Sequence, residues 1–221
     1  MMRRKGAAAL LAAALSLGGA AHADGPPQTA AQWIRQLGLQ TLDGEGGFFR
    51  VLRVSGVEVR AADGRSPASN AIYYLLTPKD PQNHLHWLAS DDYQVLIDGG
   101  PADYYLFYPD GHVEHRVMGH DVAAGQTPFV AVPADTTKAI VLRSGAPYVL
   151  VGSVVTPAWS PKRVRIGAGA AFVERYAGAS DWATPAFLRT LIGPNFKQGD
   201  HASGKNFAPL EPATDAAGRT P

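Results

Sequence analysis

Cysteine is absent from all 221 residues. That excludes disulfide staples, thiolate metal centres and a cysteine nucleophile, and it leaves the hydrophobic core to hold the fold. Charge is sparse as well, with 18% of residues charged and a formal net charge of +1. No basic stripe runs through the body of the chain, so a nucleic-acid partner is not expected. A phosphate-binding P-loop, a dinucleotide-binding Gly fingerprint and a Gly-x-Ser-x-Gly elbow are all missing. Long apolar runs are missing too, apart from residues 7–17, which are too few to span a bilayer comfortably.

That apolar run follows Arg3, Arg4 and Lys5 and precedes Ala21-His22-Ala23, a small-x-small pattern before Asp24. The order of basic, apolar and small-residue segments is that of a secretory signal peptide over residues 1–23. Its removal would take three positive charges away and leave a mildly acidic protein of about −2. The expectation is a periplasmic or secreted protein with no membrane partner after cleavage. Residues 24–28 read as a linker, 29–196 as one domain with a full core, and 197–221, poor in large apolar residues, as a disordered tail.

Two helices bracket the domain. Thr29 with Gln32 three positions on forms a capping box, Trp33, Ile34 and Leu37 supply an apolar stripe, and Gly38 stops the helix. Near the other end, Thr184 caps and Pro185 takes the first helical position. Phe187, Leu188, Leu191 and Ile192 form the apolar face before Gly193. Between them the periodicity is that of short strands, over 48–54, 71–77, 93–97, 103–108, 112–118, 129–133, 139–143, 148–156 and 163–166. Turn residues punctuate them, most clearly Pro109-Asp110-Gly111. The class is therefore all-β, a sandwich or barrel.

Chemistry concentrates at His84-Leu85-His86, followed by Asp91 and Asp92 and then Gly99. Two histidines two apart on a strand share one face, and a carboxylate on the next strand can reach it. Three such ligands, His84, His86 and Asp92, suffice for iron or manganese. Further along the chain, Lys138 is a candidate for the same pocket. An ammonium does not ligate a cation and repels one nearby. A His–Asp–Lys set instead supports acid–base work without metal: His86 as base, Asp92 orienting it, Lys138 stabilising an enolate, and a pocket tyrosine as the acid. His112, Glu114, His115 and His120 are read as a solvated edge strand, since their spacing is not that of a zinc helix.

Several runs resemble one family in sequence order. Leu37-Gly-Leu with Glu45-Gly46-Gly47-Phe48-Phe49-Arg50 is similar to the Leu-Gly-Leu…Glu-Gly-Gly-Tyr-Phe-Arg opening of the cupin-5 family, also called DUF985. Ser69-Asn70-Ala71-Ile72-Tyr73-Tyr74-Leu75-Leu76 and His86-Trp87-Leu88-Ala89-Ser90-Asp91-Asp92 continue it. So do Tyr108-Pro109-Asp110-Gly111, Gly119-His120-Asp121, Gly125-Gln126-Thr127-Pro128, Val132-Pro133-Ala134 and 150–157. The resemblance implies a cupin-type jelly-roll barrel, often a homodimer. It also brings departures: the family's Arg after the histidine is Trp87, its Trp-His is Gln94-Val95, which removes an expected pocket histidine, and its Trp-Gln is Thr137-Lys138.

The expectation is a cupin that takes a small-molecule ligand, carbohydrate-like or acidic, with isomerase or epimerase chemistry on His86, Asp92 and Lys138 and no cofactor. Glu45, Arg50, Tyr73, Tyr105 and Trp159 are the candidate ligand contacts. The alternatives are a mononuclear divalent-metal oxygenase or decarboxylase on His84, His86 and Asp92, and a binding protein without catalysis.

Overall fold

A computed structural model describes residues 28–197. The expected signal peptide and nearly all of the expected linker and tail lie outside them. Helix α1 (Ala30–Leu37) starts where Thr29 accepts from the Gln32 amide and the Gln32 side chain accepts from the Thr29 amide, and it ends at Gly38 in the left-handed region, φ 61°. Its apolar stripe packs on Leu39, Leu75, Tyr148 and Leu150, and the Trp33 indole donates to Asp98 at 3.0 Å.

The strands that follow are β1 (Gln40–Thr41), β2 (Phe48–Val54), β3 (Glu58–Ala61), β4 (Gly64–Pro67), β5 (Asn70–Leu76), β6 (Gln82–Leu88), β7 (Asp91–Gly99), β8 (Ala102–Phe107), β9 (Val113–Met118), β10 (Phe129–Val132), β11 (Thr137–Leu142), β12 (Val149–Thr156) and β13 (Val164–Ile166). Helices α2 (Ala170–Tyr176) and α3 (Pro185–Ile192) follow. One sheet has the order β1-β2-β5-β12-β7-β10, the other β13-β6-β11-β8-β9, and β3-β4 form a separate hairpin. From β5 on, the chain crosses between the two sheets at almost every connection, and each pairing is antiparallel. This is a jelly roll, in which neighbours in a sheet are distant in sequence.

The two sheets differ in what covers them. The six-stranded sheet is covered on its outer face only in part, where α1 lies over Leu75 and Leu150; most of β7 is beyond that cover and alternates cleanly: Asp92, Gln94 and Leu96 point in, while Tyr93, Val95 and Ile97 are exposed. The five-stranded sheet is covered twice. Tyr104, Leu106 and Ile140 face the inner core, while Leu85, Phe107 and Ala139 pack outward beneath Phe172, Val173, Leu188 and Leu191 of α2 and α3. α3 begins at Thr184, whose hydroxyl accepts from the Phe187 amide, and carries Pro185 in its first turn.

β1, the β3-β4 hairpin and α2 were not among the expected elements, and β6 was expected only as a strand through His84 and His86, without a range. β6 reads Gln-Asn-His-Leu-His-Trp-Leu and shows no period-2 apolar signal, because both of its faces are covered and its register is broken. Opposite β11, Lys138 pairs with His86 and Ile140 with Asn83, so two steps along β11 match three along β6. This is a β-bulge, and it reverses the facing of every residue beyond it.

Candidate functional site

The bulge decides the site. Through it Asn83 and His86, three apart, both line one cavity between the sheets, while Leu85 turns out under the C-terminal helices. His84 does not line the cavity. Its ring lies so close to Gly193 that a Cβ there would fall 2.5 Å from Nδ1. That nitrogen is buried without a hydrogen-bond partner, and burial lowers the pKa of the ring. The expected shared face of His84 and His86 is thus overturned, because the strand between them is not regular.

The cavity encloses about 520 Å³, within the range that holds a small organic ligand. His86, Asn83 and Lys138 reach it from the five-stranded sheet, and Asp92, Gln94, Ser153 and Tyr74 from the other. Glu45 enters from the loop before β2. Gly46 and Gly47 make that loop possible, at φ 83° and 78°. A side chain on Gly46 would meet the Gln82 carbonyl at 2.4 Å, and one on Gly47 the Tyr74 hydroxyl at 2.5 Å. The loop is tied down by the Glu45 carbonyl accepting from the His84 amide at 2.6 Å and by the Tyr74 hydroxyl donating to the Gly46 carbonyl at 2.7 Å.

At one end of the polar floor, Lys138 forms a buried ion pair with Asp92 across the two sheets. Asp92 also accepts from Gln94 at 2.8 Å and Ser153 at 2.6 Å, and Tyr104 in turn donates to Gln94 at 2.7 Å. Burial pushes the Asp92 carboxyl up, but the Lys138 charge with the hydrogen bonds from Lys138, Ser153 and Gln94 outweighs it and holds the group below its ordinary value. Burial raises the Tyr104 and Tyr74 hydroxyls well above theirs, so both stay protonated.

At the other end, His86 is 3% exposed, and burial dominates in lowering its pKa; Glu45 opposes this and Lys138 adds to it. The ring is therefore neutral at neutral pH. Its Nδ1 lies 2.9 Å from the His84 carbonyl, which can only accept, so the proton sits on Nδ1. Nε2 keeps its lone pair and stands 3.7 Å from a Glu45 oxygen, beyond hydrogen-bond reach.

Of the expected site residues, His86, Asp92, Lys138, Glu45, Arg50 and Trp159 line the cavity together. Asp92 is not the partner of His86, however; it is committed to Lys138, and Glu45 is the carboxylate nearest the imidazole. Tyr73 and Tyr105 point the wrong way. Tyr73 packs in the cluster under α1, and Tyr105 stacks on His115 and meets Trp182 and Phe187 outside the barrel. Their neighbours Tyr74 and Tyr104 face inward instead, as a one-residue change of parity requires. Position 95, where a pocket histidine was expected to be lost, lies on the exposed outer face, so the cavity loses nothing there. His112 and His115 pair with Asp110 and Asp103 on the edge strand β9 and its turn.

The metal set does not come together. His84 is turned away, and both oxygens of Asp92 already accept from Lys138, Gln94 and Ser153. Among the described residues no group of three or more His, Asp or Glu could hold a metal ion.

The double-sheet roll with its internal polar cavity defines a cupin. The chain belongs to the cupin-5 family, the cupin superfamily group DUF985, whose model matches residues 31–166. It is 30% identical over 123 residues to the uncharacterized protein YML079W of Saccharomyces cerevisiae, an alignment covering 54% of this chain and 61% of that one. Two solved structures are similar throughout most of the chain. Protein SO0799 from Shewanella oneidensis has 26% identity and a TM-score of 0.65, covering 76% of this chain and 99% of that one. A hypothetical protein from Leishmania major has 25% identity and a TM-score of 0.64, covering 74% and 97%.

Proposed function

We propose that the cavity binds a small molecule and moves a proton on it, in isomerase or epimerase chemistry, with His86 as the base. One observation carries the reading: a neutral, buried imidazole that lines the cavity is fixed by its Nδ1–H, which leaves Nε2 as its unprotonated nitrogen. The ligand's C–H bond next to a carbonyl breaks, its proton passes to Nε2, and the electron pair moves onto the carbonyl oxygen. Lys138, an ammonium lining the same cavity, stabilises that oxygen's charge. Return of the proton to the opposite face completes an epimerisation; where the α-carbon bears a hydroxyl, passage of the hydroxyl proton to the former carbonyl oxygen and return of the carbon-bound proton to the former carbonyl carbon complete an isomerisation. Glu45, beside His86, stabilises the imidazolium formed on the way.

Proton exchange from an enolisable ketone into deuterated solvent, followed by NMR, tests the reading. His86→Gln is expected to lower the exchange rate by about 10²–10⁴, the usual share of a general base. A variant as fast as the parent overturns the assignment.

A further inference from the structure

The composition of the cavity lining narrows the ligand. Its polar floor carries Glu45, Asn83, His86 and Lys138, with Asp92, Gln94 and Ser153. Much of the rest is apolar: Leu42, Phe49, Val51, Ile72, Val155 and Trp159. A carbohydrate presents hydroxyls on all sides, and each one set against such a wall loses its water without gaining a partner. A hydrocarbon body loses nothing there and gains by leaving water.

The charges disfavour a permanently anionic head as well, as distinct from a charge that forms only during proton transfer. Lys138 is engaged by Asp92. The Arg50 guanidinium is held at the end of α1, where Nη1 donates to the Leu37 carbonyl at 2.9 Å and meets the negative end of the helix. Glu45 contributes a carboxylate to the polar floor itself. A phosphate or carboxylate placed beside His86 would therefore face Glu45, with the nearest ammonium already neutralised.

We propose that the ligand is an uncharged amphipathic carbonyl compound. Its oxygen lies on the polar floor beside His86 and Lys138 and its hydrocarbon body against Phe49, Val51, Ile72, Val155 and Trp159. The carbonyl rests on the His86 proton-transfer reading, whereas the apolar body and the absence of charge rest on the walls alone.

Three probes separate these statements in calorimetric titrations of the full chain: 2-tetralone, glucose and glucose 6-phosphate. Saturable binding of 2-tetralone, at least tenfold tighter than either sugar, is the expected result. Ile72→Asp should weaken it at least tenfold. Should that variant not fold, Val155→Thr keeps the shape, adds one hydroxyl to the wall, and should weaken binding several-fold. Tighter binding of either sugar, or no saturable binding of 2-tetralone, overturns the ligand class. Bound 2-tetralone that takes up deuterium no faster than with His86→Gln overturns the proton-transfer reading and leaves the ligand class standing.

Discussion

The two ends of the cavity floor are built from the same kinds of group, yet one is closed and the other open. Asp92 and Lys138 satisfy each other, and Ser153 and Gln94 complete the carboxylate's shell. Buried between the sheets, such a pair ties them together and has little left to offer a ligand beyond the field of its ammonium. His86 and Glu45 stop 3.7 Å short of each other, with a lone pair on one side and a carboxylate on the other. Two acceptors facing across a gap leave room for a donor from outside. Burial is common to both ends; what differs is that Asp92 has an ion-pair partner, whereas among the described residues the Glu45 carboxylate has only the Asn83 amide at 3.5 Å and Nε2 of His86 has no donor from Glu45.

The comparison breaks most sharply at Lys138. Lys138→Met leaves Asp92 buried without its counter-ion and is expected to destabilise the fold by about 3–5 kcal/mol in denaturant titration. His86→Met, at the open end, removes no ion pair, so a loss well under half of that is expected. Equal losses would show that the two ends are alike.

Acid titration separates them further. His86 has a folded pKa below its ordinary 6.5, so as pH falls under 6.5 the unfolded chain takes up a proton first and stability declines. His84, also lowered by burial, adds to the same limb. The Asp92 carboxyl is held below its ordinary 3.8; its contribution is complete above that value and is lost as pH falls through the lower folded value. Stability measured against pH should therefore fall in two stages. His86→Gln should weaken the stage below 6.5 and leave the stage below 3.8 intact.

The smallest effect is expected at Ser153. Ser153→Ala removes one of the donors to Asp92 while Lys138 and Gln94 remain, for a loss of about 1–2 kcal/mol in the same denaturant measurement. A loss matching that of Lys138→Met would mean that the hydroxyl, not the ammonium, holds the carboxylate.

How much of this could be read beforehand depends on which face of which strand is involved. Capping at Thr29 and Thr184 is local chemistry, and both helices begin and end where their residues indicate. β7 alternates because one of its faces meets solvent, so its inward Asp92 was legible. Tyr73-Tyr74 and Tyr104-Tyr105 offer two tyrosines each, one per face, and nothing local chooses between them. In β6 the bulge moves His84 away from the cavity and brings Asn83 in, a change with no signature in a seven-residue run whose two faces are both covered.

The sequence by itself determined the kind of residues available: a cysteine-free β-rich domain of the cupin-5 pattern, a histidine at 86, carboxylates at 45 and 92, and a lysine at 138. Their identities follow from local order, and so does the Gly46-Gly47 bend that carries Glu45. Only the tertiary structure decided the pairings. Asp92 meets Lys138, 46 residues away, and not His86, although Lys138 and His86 sit side by side on β11 and β6 of the sheet opposite Asp92. The distance between facing sheets, set by packing of the core, decides which acceptor finds a donor and which is left to find one in a ligand.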